Sequence, residues 1–150
     1  MEHEAAITNR AARRDYFIIE SVEAGLELKG PEVKSLRAGK ASLAESFARL
    51  DGEEIFLYHM HISPYEYGNN KDYDPVRPKK LLLHKKEISY LLTMASQRGL
   101  ALIPLRVYFK DGFAKLELAV ARGKKFYDKR ETIKRREDQG AIDRAKRVKI

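Results

Sequence analysis

Two histidines, His59 and His61, stand two residues apart in the run EIFLYHMHI (54–62). On an extended strand that spacing turns both side chains to one face, where they could furnish half of a metal site. Zinc needs three or four ligands, and no carboxylate lies nearby in sequence to complete the set. Strand histidines held by hydrogen bonds, without metal, are the plainer reading. His84 opens a helical stretch and reads as a cap or surface residue. Asp72 and Asp74 are also two apart, but Asn69, Asn70 and Pro75 around them make turn chemistry. GLELKGPE (25–32) has two glycines at phosphate-loop spacing, yet Pro31 and Glu32 stand where Lys and Ser/Thr must be. AGKAS (38–42) has a Gly-Lys pair without the preceding glycine spacing. No nucleophile–base pair or carboxylate dyad stands out, and zero cysteines exclude disulfides and thiolate chemistry. No catalytic residue, metal or cofactor is expected. The chain reads as a binder.

What it binds is suggested by charge. Residues 122–150 hold 12 Lys or Arg and 5 Asp or Glu, which is +7 of a formal net charge of +8. Residues 1–121 are almost neutral, with 18 basic and 17 acidic residues. A basic excess concentrated in one segment points to a polyanion, nucleic acid before an anionic membrane. The tail lacks the broad apolar face of an interfacial helix, so no membrane partner is expected. The stretch GKKFYDKR (123–130) interleaves cations with two aromatic rings. Single-stranded RNA is bound in this way, bases stacking on rings while Lys and Arg meet phosphates.

The elements that must carry these residues fit one domain of 150 residues, 43% of them hydrophobic. Residues 1–13 read as a loose arm. YFIIESV (16–22) and GLELKG (25–30) read as two short strands around a turn containing Glu23, and PEVKSLRAG as a short helix with Pro31 in its first turn and Gly39 as its stop. ASLAESFARLDG fits helix or strand equally. EIFLYHMHI reads as one strand, SPYEYGNNKDYDPVRPKK as a long loop, and LHKKEISYLLTMASQRG as a helix with the stripe Ile88, Leu91, Leu92 and Ala95. Two further strands, 102–109 and 113–121, join at Lys110-Asp111-Gly112, with Leu116, Leu118 and Val120 facing inward and Lys115 and Glu117 outward. Five or six short strands with one good helix bury such a pattern best in a small antiparallel barrel of the oligonucleotide-binding type. The fold class expected is therefore mainly β with accessory helices, plus a basic C-terminal tail that orders conditionally. The domain spans 1–122 and the tail 123–150. The charged N-terminus MEHEAAITNRAARRDYF has no signal-peptide character, so a soluble, cytoplasmic protein is expected.

Four blocks then occur in a telling order: NRAARRDYFI (9–18), EAGLELKGPEVKSLRAGKASL (23–43), RPKKLLLHKKEI (77–88) and IPLRVYFKDGFAKLELAVARGKKFYDKR (103–130). Together they resemble the SsrA-binding (small protein B) family of bacterial trans-translation over nearly the whole chain. The resemblance implies an oligonucleotide-binding-type barrel with a tail that is disordered when free, and no catalytic activity. It implies two partners. One is transfer-messenger RNA, held by its tRNA-like domain. The other is the stalled 70S ribosome, where the tail enters the decoding centre of the 16S rRNA and the empty message channel. A monomer is expected, with no DNA partner.

Carried over by position, the resemblance places contacts to the tRNA-like domain on Asn9, Arg13, Arg14, Glu23, Lys34, Arg37, Leu82 and Lys115; Lys79 and Lys80, at a basic loop edge, suit phosphates as well. The tail residues for the decoding centre are Lys124, Lys125, Tyr127, Asp128, Lys129 and Arg130. Glu23 can accept from a guanine edge, though it could also simply belong to a hairpin turn. Lys34 and Arg37, three apart on a helix, can grip one phosphate stretch. Leu82 reads equally as core and as an apolar face for a nucleotide. Phe126 competes with Tyr127 as the stacking ring. Two positions depart from the family pattern: Pro31 stands where Thr or Trp is usual, and Tyr127 stands where some members have His, which keeps stacking but loses imidazole protonation. Two other classes stay open on sequence alone. A generic RNA chaperone or ribosomal protein would use the tail as a charge anchor, and a metal-dependent nuclease would use His59 and His61.

Overall fold

The computed structural model describes residues 5–65, 72–97 and 99–124. Among these residues, strands and helices follow in the order β1 (Ala5–Thr8), α1 (Arg10–Asp15), β2 (Tyr16–Leu26), α2 (Gly30–Arg37), β3 (Ala41–Ser42), β4 (Phe47–Asp51), β5 (Glu54–Tyr58), β6 (His61–Ile62), β7 (Lys79–Leu82), α3 (Lys85–Ala95), β8 (Leu100–Lys110) and β9 (Phe113–Gly123). Seven strands form one antiparallel sheet in the order β1-β8-β4-β5-β7-β2-β9, and β8 also pairs with β9. That extra pairing closes β8-β4-β5-β7-β2-β9 into a six-stranded barrel, leaving β1 along the outer edge of β8. Closure removes the exposed edges that a small open sheet would present. The architecture is the oligonucleotide-binding-type barrel expected from the strand pattern.

The barrel is filled by Leu26, Leu36, Leu57, Leu81, Leu91, Val107, Leu116 and Leu118, each 5% exposed or less. The β8–β9 turn has Asp111 at φ 51° and Gly112 at φ 85°. Positive φ at both central residues matches the right-handed twist of the flanking strands, so the Asp-Gly pair fixes this hairpin as the sequence indicates.

Several sequence expectations are corrected. Part of the loose arm is ordered: β1 pairs with β8, and α1 covers a second apolar cluster of Ala12, Ile103, Leu105, Ala119 and Ala121 on the outside of the barrel. The outward side of β9 is therefore wet only in part. Tyr16–Leu26 is one strand of 11 residues rather than two, because β9 pairs with it from Gly123 to Lys115, straight through the turn expected at Glu23–Gly25; the register shift lies earlier, between Ile18 and Glu20. Glu23 consequently stands mid-strand. The run 54–62 is instead broken at His59, whose φ of 67° ends β5 and turns buried Met60 into the core. Residues 47–51, ambiguous in sequence, form β4 opposite β5. On α3, Leu91 is buried but Leu92 is 44% exposed, so the apolar stripe is narrower than its spacing suggests.

Candidate nucleic-acid interface

Strand register brings distant residues into rows on the outside of the barrel. Leu82 of β7 lies opposite Gly25 of β2, Gly25 opposite Lys115 of β9, and Lys115 opposite Tyr108 of β8. The next row runs from Glu23 to Glu117, Arg106 and Thr8. Residues directly opposite in antiparallel strands project from the same face, so Glu23, Leu82 and Lys115 share one surface. Gly25 makes the first row possible: a Cβ there would stand 3.1 Å from the Leu82 Cβ, tighter than ordinary contact. Leu82 lies over the bare backbone and remains 48% exposed. Leu82 is therefore an exposed side chain and not part of the core.

Glu23 is held in place. The Tyr108 hydroxyl donates to its carboxylate, and the Lys110 ammonium lies 3.5 Å away. The Tyr108 hydrogen bond, aided by the charges of Lys110 and Lys115, holds the Glu23 carboxyl below the usual range. Burial and the same bond push the Tyr108 phenol well above its ordinary value. In the same row as Glu23 the Arg106 Nε donates to Glu117 at 2.9 Å, and Ser21 Oγ donates to the other Glu117 oxygen at 2.7 Å. An ionised, oriented acceptor flanked by cations and one exposed aliphatic side chain is suited to base-edge contact rather than to phosphate alone.

Lys34 and Arg37, both exposed on α2, rest on different aromatic rings: Lys34 Nζ is 5.2 Å from the Tyr65 ring centroid, and the Arg37 guanidinium carbon is 4.1 Å from that of Phe109. Cation–π contact holds each charged head over a ring face while both residues stay exposed. Phe109 follows Tyr108 in β8 and so projects to the opposite face, where it packs against the barrel core, and Arg37 lies off the Glu23 face.

The N-terminal candidates occupy α1. Asn9 precedes the helix, its backbone N–H donating to Leu105 O at 2.8 Å and its side-chain amide to Pro104 O at 2.9 Å. The amide thus pins α1 to β8. Arg13 and Arg14 lie exposed in the last turn, with Arg14 Nε 3.3 Å from Asp15. A cleft of about 940 Å³ opens beside them, lined by Asn9, Arg14, Tyr16, Phe47, Arg49 and Leu92 among others. Lys124 joins this region: its Nζ donates to Arg13 O at 3.0 Å and lies 4.9 Å from the Phe17 ring centroid. Lys125, Tyr127, Asp128, Lys129 and Arg130, with the competing ring Phe126, fall outside the described residues.

Lys79 and Lys80 are strand residues of β7, not a loop edge. Lys79 is fully buried, its ammonium donating to Met60 O at 3.1 Å and to Arg77 O at 2.7 Å. A buried ammonium committed to two carbonyls offers nothing to a phosphate, so Lys79 leaves the interface. It belongs to an internal brace in which Arg77 binds the buried Glu32 through two hydrogen bonds of 3.1 and 2.6 Å, while Glu32 accepts from the Lys29 N–H at 2.7 Å. Desolvation lowers the Lys79 pKa to about 8. Lys80 points outward and pairs with Glu54. His59 and His61 are exposed, and the break at His59 undoes their expected shared strand face. Among the described residues no group of three or more His, Asp or Glu is placed to hold a metal ion, and no helix there is long and apolar enough to cross a membrane.

Sequence reasoning missed Tyr108, Arg106 and Lys110, which orient or surround Glu23. Tyr108 meets its partner across 85 residues of chain, and the only local trace was the outward alternation of polar side chains on the last two strands.

A closed antiparallel barrel with cations and a fixed carboxylate on its outer face defines an oligonucleotide-binding-type protein. The SmpB protein family model matches residues 6–148, and the chain belongs to that family. It is 61% identical over 141 residues to the SsrA-binding protein of Desulforudis audaxviator, covering 94% of this chain and 92% of the relative. With the SsrA-binding protein of Geobacillus thermodenitrificans it shares 55% identity over 137 residues, covering 91% and 88%. A solved structure described as "tmRNA-SmpB: a journey to the center of the bacterial ribosome" superposes with a TM-score of 0.70 at 50% identity, covering 93% of this chain and 94% of that one.

Proposed function

We propose that this protein is the RNA-binding adaptor of trans-translation. It binds the tRNA-like domain of transfer-messenger RNA and delivers that RNA to ribosomes stalled on messages without a stop codon. It acts as a cytoplasmic monomer and contributes binding rather than bond making or breaking. The observation that carries this reading is the likeness in sequence and shape, over nearly the full chain, to a protein whose structure is described with transfer-messenger RNA and the ribosome.

The barrel supplies the specific contacts. Glu23, Leu82 and Lys115 present an acceptor, an apolar face and a cation on one surface, and Arg37 adds a cation from α2. Arg13 and Arg14 extend the cationic surface along α1, and Lys34 and Lys80 add phosphate contacts. Asn9 positions α1, and its role in RNA reading is indirect. The basic tail, with Lys125, Tyr127, Asp128, Lys129 and Arg130, serves the decoding centre, where many charge contacts offset the entropy of ordering it. Its large aliphatic residues, Ile133, Ile142, Val148 and Ile150, are too few to build a core of their own.

The test is a reconstituted translation system stalled on a message lacking a stop codon. Transfer-messenger RNA is expected to reach the ribosome, and the nascent chain to be tagged, only when the protein is added. Equal tagging without it would refute the adaptor role.

A further inference from the structure

Lys124 is the first residue after β9 and, by sequence, the first cation of the tail. Its contacts place it elsewhere. The ammonium donates to the carbonyl of Arg13 at 3.0 Å, and that carbonyl belongs to the last turn of α1, where helical C=O groups lack partners within the helix. The same ammonium stands over the face of Phe17, 4.9 Å from its centroid. Phe17 is paired with Arg122 and Tyr16 with Gly123, so β2 and β9 deliver the lysine to the point where α1 passes into β2. A cation at a helix C-terminus is favoured by the exposed carbonyls and by the macrodipole, and a ring face adds a second attraction.

We propose that Lys124 is a positioning residue of the folded body: it clamps the C-terminal turn of α1 to the end of β9, and so sets the direction of Arg13 and Arg14 toward RNA. The inference rests on the adaptor reading for what the arginines bind, but the clamp itself does not. It moves the working boundary between body and tail from Arg122 to Lys124 and takes Lys124 out of the decoding-centre set. It also joins the RNA-facing helix to the base of the tail through one side chain.

The full-length protein tests this with Lys124→Met, which keeps the stem and removes the donor, and Lys124→Arg, which keeps donor and charge. Two readouts are needed. Amide hydrogen exchange without RNA is expected to quicken several-fold across residues 10–16 in Lys124→Met, to stay unchanged in the barrel strands, and to return with Lys124→Arg. Affinity for the tRNA-like domain is expected to fall roughly three- to tenfold in Lys124→Met, but not when Arg13→Ala and Arg14→Ala are already present, since nothing remains to be positioned. An equal loss in both backgrounds would make Lys124 a direct RNA contact and overturn the proposal, as would unchanged exchange across α1. If the wild-type protein fails to prefer the tRNA-like domain over an unrelated hairpin, the adaptor reading falls while the exchange arm still decides the clamp.

Discussion

The Tyr108 hydroxyl donates a hydrogen bond to the Glu23 carboxylate across the intervening strand β9, joining residues 85 apart in the chain. Tyr108 is 3% exposed, so its phenol donates to this carboxylate away from water. Tyr108→Phe keeps the ring and removes the bond. We expect a loss of about 1 kcal/mol at neutral pH. The lowered Glu23 pKa contributes stability above the ordinary carboxylate range, and that stability is lost as pH falls through the folded value. The gap between Tyr108→Phe and wild type should therefore close in acid. Denaturant melts at pH 7 and pH 3 check this; a gap that persists in acid would mean that the bond does not act through the ionised carboxylate.

Leu82 is expected to matter for RNA and little for folding. Leu82→Ser removes an apolar side chain that is already 48% exposed. Affinity for the tRNA-like domain should fall roughly fivefold, ~1 kcal/mol, with the melting temperature nearly unchanged. Gly25→Val should produce the same binding defect by a different route, because the new side chain meets Leu82 at its Cβ. Filter binding beside thermal melts separates the two effects.

The Glu32–Arg77–Lys79 brace should answer to pH and not to RNA. Glu32→Gln breaks a paired, buried carboxylate and is expected to cost ~2–4 kcal/mol. Lys79 binds its proton less tightly folded, at about 8, than unfolded, at 10.5. Between those values the unfolded chain holds the extra proton, so this group makes stability rise with pH from about 8 toward 10.5. Lys79→Met should flatten that rise while leaving RNA affinity intact. A drop in affinity would return Lys79 to the interface.

This brace shows what could be read in the sequence and what could not. The Asp111-Gly112 turn, the inward alternation of Leu116, Leu118 and Val120, and the helix behind Pro31 follow from local rules, and all three are present. Lys79 looked like a loop-edge cation because a Pro-rich segment precedes it; only the pairing of β7 with β5 and β2 turns it inward. Glu23 looked like a turn residue because Ala24-Gly25 follows. Gly25 instead permits the close approach of Leu82, a contact set by strand register across 57 residues. The family strings named residues whose neighbours on the barrel surface local patterns could not supply.

For the tail, order should count beyond charge. Permuting residues 125–150 with composition held constant keeps the formal charge of the full chain at +8. Binding to the tRNA-like domain should survive, whereas tagging on stalled ribosomes should be lost. Retained tagging would make the segment an electrostatic anchor and favour a generic RNA-binding role.

The central claim is that the barrel face built around Glu23 reads the RNA. Its most direct test is a salt series of full-length protein binding to the tRNA-like domain and to an unrelated hairpin, for wild type and for a Glu23→Gln, Leu82→Ser, Lys115→Met triple variant. Wild type should prefer the tRNA-like domain by at least about tenfold at every salt concentration, ~1.4 kcal/mol. The triple variant should lose that preference while still binding the hairpin, with a salt slope reduced by no more than about one phosphate contact, ~0.7–0.9. A preference that survives all three substitutions would place recognition elsewhere on the molecule and contradict this account.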